Sequence, residues 1–169
     1  MPSPHDLDAL MLIVGDSEVV KYLGIKPGAI QSREETKTTL ERMIDFWAQH
    51  GFGRWAVINK EDHKLVGLCG FRLLEDTPEL FYIFARVNWG RGFATEAARA
   101  TIRYGFEELG FERIVAVTRH ANIASMNVMI KIGMRYENET RHFGVDAVCY
   151  AARRDEYQLD DSPYVFSQA

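Results

Sequence analysis

The sequence predicts an α/β fold of the mixed, α+β type: a mainly antiparallel sheet flanked by helices, with one parallel pair of strands. Three observations predict it. The hydrophobic period is helical over residues 32–49 and switches to two from Arg54 onward. Three β-rich runs, 54–59, 64–73 and 78–86, then follow one another across short polar turns, which favours a meander. Finally a strand, the glycine turn NWGRGF, a helix and another strand come in close succession, the pattern of a βαβ unit with parallel strands.

Taken in order, residues 6–12 read as a short helix with Asp6 as N-cap, and 16–23 as a second one. Residues 24–32, holding Pro27 and Gly28, read as a loop. In 32–49, Thr36, Leu40, Met43, Ile44 and Trp47 recur three or four apart and form one apolar face, and Gly51 ends the helix. The polar turn 60–63 makes a hairpin of the first two β-runs. After the glycine turn, a helix from about Ala94 to Leu109 sets Ala98, Ile102, Gly105, Phe106 and Leu109 on one side, with Gly110 as its stop. Residues 113–118 are a short apolar strand. Residues 122–131 read as a helix whose apolar side is Ile123, Met126, Met129 and Ile130, ended by Gly133. The runs 135–139 and 146–152 form a last hairpin around the loop 142–145, and the tail after Tyr157 reads as polar and loose. With no repeat or linker, residues 1–169 are expected to be a single domain.

Composition narrows the function classes. A chain of 169 residues, 47% of them hydrophobic, buries a real core. A net charge of −4 and a pI near 5.7, with no run of Lys or Arg, argue against a broad nucleic-acid-binding face. A local basic mouth of Arg86, Arg91 and Arg119 is all that such binding would have. Cys69 and Cys149 sit in apolar β-runs without CxxC spacing and read as buried free thiols in a reducing compartment. His5, His50, His63, His120 and His142 show no ligand spacing, so no metal is expected. The start MPSPHDLDAL lacks a signal-peptide pattern and no run is long enough for a membrane span, so a cytoplasmic protein with no membrane partner is expected.

The glycine turn carries the chemistry. Gly90 and Gly92 can take φ > 0 and leave the main chain open to a bulky anion, Arg91 adds a charge, and the helix that follows points its N-terminal N–H groups outward. This is a phosphate seat. GRGFAT partly satisfies the dinucleotide fingerprint GxGxxG, but no acidic residue ends the next strand, where Val117 leads into Thr118, Arg119 and His120. The P-loop pattern is absent.

The run ELFYIFARVNWGRGFATEA, residues 79–97, followed by NIASMNVMIKIGM, residues 122–134, resembles the GCN5-related N-acetyltransferases (GNAT). Within them it is similar to the RimJ/RimL branch, which acetylates ribosomal-protein N-termini: the first block resembles that branch's WGKGYATEA form and the second its N-x-x-S-x-x-V-x-x-K-x-G pattern. The resemblance covers about residues 34–157. It implies that the parallel strands splay apart around acetyl-coenzyme A. The pyrophosphate would rest on backbone N–H groups of Arg91, Gly92, Phe93, Ala94 and Thr95. The pantetheine arm would pair with the strand ending at Phe84 and Ala85, with Asn122 on its far side and Asn127 near the cofactor.

Acetyl transfer to an amine needs a proton removed, an oxyanion donor, and a proton for the leaving thiolate. A backbone N–H near Phe84 suits the oxyanion. An α-amino group titrates near 8, so a carboxylate acting through a water suffices as base. The resemblance makes Glu79 the candidate, the alternative being a surface charge beside Pro78. Ser125 is the candidate acid, against a plain first-turn residue. Many relatives carry a Tyr acid just after the position of Val128, where this chain has Met129; it also has Trp89 where the broad family has Gln or Arg, and Arg86 where the branch has Pro. That branch also has a basic first strand, and no such run precedes Asp6. Trp55 at a strand start is a core residue or a wall of the amine pocket, and His120 is a substrate contact at the mouth of the expected cleft or a loop histidine exposed to water. Glu75, Asp76 and Glu79 suggest a positively charged acceptor. The expected partner is a small-molecule or peptide amine, with a homodimer left open. The expected function is acetyl-CoA-dependent N-acetyl transfer; a non-catalytic acetyl-CoA-binding module and an NAD(P)-binding Rossmann protein are the alternatives.

Overall fold

The computed structural model describes residues 1–24, 28–142 and 144–158. A single 3-10 turn, Pro4–Asp6, leads into helix α1, Leu7–Val14. Helix α2, Arg33–His50, opens on a reciprocal cap: the Glu35 N–H donates to Ser32 Oγ at 3.2 Å, and the Ser32 N–H donates to the Glu35 carboxylate at 2.8 Å. Gly51, at φ 72°, closes it. Strands β1, Arg54–Ile58, β2, Leu65–Leu74, and β3, Thr77–Phe84, make the meander. Helix α3, Phe93–Glu107, returns the chain to β4, Arg113–Thr118. Helix α4, Ile123–Lys131, and the hairpin of β5, Arg135–His142, with β6, Val145–Arg153, complete it.

The six strands are ordered β1-β2-β3-β4-β6-β5, and every neighbouring pair is antiparallel except β3 with β4. Alternation divides the side chains between two helical layers. Leu68 and Ile83 pack with Leu10 and Ile13 of α1 and Leu40 and Met43 of α2. From the opposite face, Phe71, Leu80 and Phe84 pack with Ile102 and Phe106 of α3 and Met129 of α4. The mixed fold read from the sequence is therefore the observed one, with the meander and the parallel pair where the periodicity placed them.

Three local expectations are corrected. Residues 16–23 form consecutive turns, not a helix. The Asp16 carbonyl accepts from the Val19 and Val20 N–H groups, and burial of those two β-branched side chains fixes the segment without a helical ladder. On α4 only Met129 is buried, and Ile123 and Ile130 are 58% and 57% exposed. A helix of two and a half turns that meets the sheet through Met129 buries a narrower stripe than the pattern suggested. Strand β3 ends at Phe84, since residues 86–88 tighten into a 3-10 turn. The tail past residue 158 and Pro27 lie outside the described residues.

Candidate active site

The glycine turn has the geometry of an anion seat. Gly90 and Gly92 stand at φ 72° and 90°, and a Cβ at either would meet no heavy atom within 4 Å. Gly92 is the N-cap of α3, and the first intrahelical bond here runs from the Glu96 N–H to the Gly92 carbonyl. The N–H groups of Phe93, Ala94 and Thr95 thus face outward at the positive end of the helix. Arg91 lies with its guanidinium 5.0 Å from the Phe93 ring centre and donates to Asn88 Oδ1 at 3.2 Å. Trp89 Nε1 donates to the Phe84 carbonyl at 2.9 Å, tying the turn to the end of β3.

Behind the turn the sheet opens. The Ala85 N–H donates to the Val66 carbonyl, so its neighbour Phe84, and by alternation Tyr82, direct their main-chain groups away from β2 and toward β4. The parallel strands β3 and β4 are joined at one register pair, Glu79 with Val115. Beyond it they diverge. Trp89 takes the Phe84 carbonyl, and the Phe84 N–H points into the gap.

A cleft of about 90 Å³ crosses the sheet at this divergence, with Glu79, Tyr82, Asn122, Ser125 and His142 in its walls. Glu79 is 1% exposed, which removes the surface-charge reading. Arg72, opposite it on β2, grips its carboxylate with Nε at 2.6 Å and Nη2 at 2.9 Å. The same Nη2 lies 3.2 Å from His142 Nε2. Because a guanidinium only donates, Nε2 is the acceptor and the ring proton sits on Nδ1. Burial pushes the His142 imidazolium below the usual range; the charges of Arg72 and Arg119 add to this and Glu79 opposes it. Phe81 lies between Arg54 and Arg72, each 5.2 Å from its ring centre. Burial, then repulsion from Arg72, brings Arg54 down to about 10, which leaves it a cation at neutral pH.

On the α4 side, Asn122 is the N-cap and its Oδ1 accepts from the Ser125 N–H at 3.3 Å, which orients Ser125. The Tyr82 hydroxyl donates to the Ser125 carbonyl at 3.0 Å and lies 2.8 Å from Ser125 Oγ. Burial pushes the Tyr82 phenol well up, so it stays protonated. Sequence reasoning named Ser125 and missed Tyr82, Arg72 and His142. The alternation of Leu80, Tyr82 and Phe84 was the available signal for Tyr82, and nothing local pointed to the other two.

The remaining candidates are placed as follows. Asn127 is exposed on α4 and lies outside the cleft walls, while Phe84 ends β3 and Ala85 caps the 3-10 turn that follows. Trp55 packs edge-on to Trp47 and Tyr104 in the core, so it is not a wall of the amine pocket. His120 is exposed and pairs with Glu139 at 2.5 Å. Glu75 and Asp76 stand exposed between β2 and β3, outside the cleft walls. Cys69 is buried and its thiol is pushed up to about 12, and Cys149 is also buried and free. Among the described residues no group of three His, Cys, Asp or Glu side chains could hold a metal, and no helix is long and apolar enough to cross a membrane.

A sequence model of the acetyltransferase (GNAT) domain matches residues 1–135. The chain belongs to the GNAT acetyltransferases. This GNAT chain is 28% identical over 162 residues, 90% of each chain, to an uncharacterized N-acetyltransferase, p20, of Bacillus licheniformis. It superposes on a GNAT-family acetyltransferase from Bacillus anthracis with a TM-score of 0.78 at 30% identity, covering 91% of this chain and 92% of the other. Its fold also matches that of a spermidine N-acetyltransferase from Vibrio cholerae in complex with CoA and spermine, with a TM-score of 0.74, 16% identity and 92% and 94% coverage. The Rossmann reading falls with these findings, since the strands leading into the glycine turn form an antiparallel meander.

Proposed function

We propose that this chain transfers an acetyl group from acetyl-coenzyme A to a primary amine, in the manner of the RimJ/RimL branch that its two motifs resemble. The observation that carries the reading is the single join between β3 and β4: the sheet opens from Glu79 toward the glycine turn, with a buried carboxylate at the joined end and an anion seat beyond the open one. The residues fit the cofactor. Open space at Gly90 and Gly92 and the outward N–H groups at Phe93 to Thr95 suit a pyrophosphate, and the free side of β3 suits an extended amide-bearing arm. When bound, acetyl-coenzyme A supplies an activated acyl group and a thiolate leaving group.

The chain's own part is proton transfer and positioning. Glu79 takes the proton of the amine, directly or through a water, and Arg72 holds the carboxylate in place with two hydrogen bonds. The Phe84 N–H is the oxyanion donor. The Ser125 hydroxyl donates toward the departing sulfur as the C–S bond breaks, and Tyr82, which keeps its own proton, holds Ser125 in place through its carbonyl and Oγ. The domain is one unit in this reading, with residues 34–157 as its core, and the acceptor is a protein N-terminus or a small amine.

The bidentate grip of Arg72 occupies both oxygens of the Glu79 carboxylate and favours a second reading, an acetyl-coenzyme A-binding module with little turnover. One experiment separates the two. In a thiol-release assay over a broad amine panel, Glu79→Gln is expected to lower kcat/KM by about 10²-fold or more, while calorimetry shows acetyl-coenzyme A still bound. Cofactor binding without transfer by the unmodified chain supports the binding module.

A further inference from the structure

The charges that face the cleft have the wrong sign for a polycation. Of its wall residues among those described, Glu79 is the carboxylate, whereas Arg72 and Arg119 are both cations, and Arg54 stands behind Phe81 as a third. Glu79 is already neutralised by a two-bond ion pair. Arg119 is different. It follows the end of β4, its Nη2 donates to the Gly24 carbonyl at 2.7 Å, and it enters no ion pair among the described residues. One bond to a carbonyl holds the planar group in place while no carboxylate among the described residues pairs with it, and five N–H donors give it capacity beyond that bond.

We infer that the acceptor is a small amine that also carries a carboxylate, which Arg119 takes at the cleft mouth while the amine faces Glu79. The inference rests on the acetyltransfer reading above and names its substrate class. Arg119 is fitted to the carboxylate by geometry as well as charge, because a guanidinium fork binds two carboxylate oxygens at once. An acceptor with several ammonium groups would instead enter a cleft whose net charge is positive, where like charge raises the free energy of every bound pose. The acidic net charge of the whole chain does not decide this, since screening removes the effect of distant surface carboxylates at physiological salt.

The test is a kcat/KM comparison of L-amino acids with their own carboxamides, with spermidine and spermine as polycations, each rate referred to the neutral-amine fraction. Acetyl-coenzyme A binding is measured in parallel by calorimetry. The acids are expected to exceed their amides by about tenfold, as loss of one charge-assisted contact implies. Arg119→Gln is expected to bring that ratio toward one, and Arg119→Lys to restore part of it. Amides or polyamines equal to the acids, or a preference for acids that Arg119→Gln leaves intact, overturn the inference while acetyl transfer stands. Cofactor binding without transfer to any acid overturns it too. Failure to bind acetyl-coenzyme A overturns the inference together with the reading beneath it.

Discussion

At His142, burial and two guanidinium groups act on one ring in the same direction, and both favour the neutral imidazole. The folded ring therefore binds a proton less readily than an unfolded histidine, whose pKa is about 6.5. As pH falls through 6.5 toward the lowered folded value, the unfolded chain takes up the proton first, so stability is complete above about 6.5 and declines below it. His142→Gln keeps an acceptor for Arg72 and removes the titration. Thermal unfolding from pH 7.5 to 5 should show the unmodified chain losing more Tm below pH 6.5 than the variant, and parallel curves would refute this. Residue by residue, the site was legible only where chemistry and local pattern coincide. Ser125 and Asn122 stood out because a family motif names them, and the structure joins them as a helix cap. Arg72 and His142 are 70 positions apart, and only the tip of the β5–β6 hairpin, reaching across from the far side of β3 and β4, brings them together.

Among the elements, α3 sets the distance between the sheet and its helical layer, and Gly105 sets α3. A Cβ there would lie 2.7 Å from Phe71 Cζ, 2.8 Å from Ile114 Cδ1 and 3.2 Å from Phe111 Cδ2. Phe71 and Ile114 are completely buried, and Phe71 is edge-on to Phe52, Trp55 and Phe111, so none can swing aside cheaply. Gly105→Ala gains about 1 kcal/mol of helix propensity but meets an overpacking cost of about 1–3 kcal/mol. The cost should win: Tm is expected to fall by a few degrees, at about 2–4 °C per kcal/mol for a chain of this size, and a rise in Tm would show that the layer can part. Helices α2 and α3 were readable because a long amphipathic period with capping residues leaves little choice. Residues 16–23 were not, since an eight-residue segment held by two buried valines has no period to read, and α4 was readable in extent but not in its buried face.

For the whole molecule, the open seam between β3 and β4 is the feature that joins fold to function. Both strands are built into larger antiparallel systems, β3 with β2 and β4 with β6, so each half is held while the seam itself is joined at one register pair. The resemblance of two motifs anticipated this seam, whereas the cation-rich cleft beside it was hidden by the overall charge of −4. A ligand that lies in the seam and ends on the helix α3 N-terminus touches both halves, and so stabilises the folded chain by mass action. At about 100 times Kd the gain is about 2.7 kcal/mol, which for this size corresponds to a Tm rise of roughly 5–11 °C. Acetyl-coenzyme A should produce that rise and slow amide exchange along β3 and β4, whereas NADH should not. Gly92→Glu places a carboxylate in the proposed phosphate seat and should abolish the shift. Gly92→Ala, which has the same φ of 90° to accommodate and no atom to strike within 4 Å, isolates the backbone strain of about 1–2 kcal/mol from the charge. A shift that survives Gly92→Glu would move the anion away from this turn, and the seam would then need another explanation for being open.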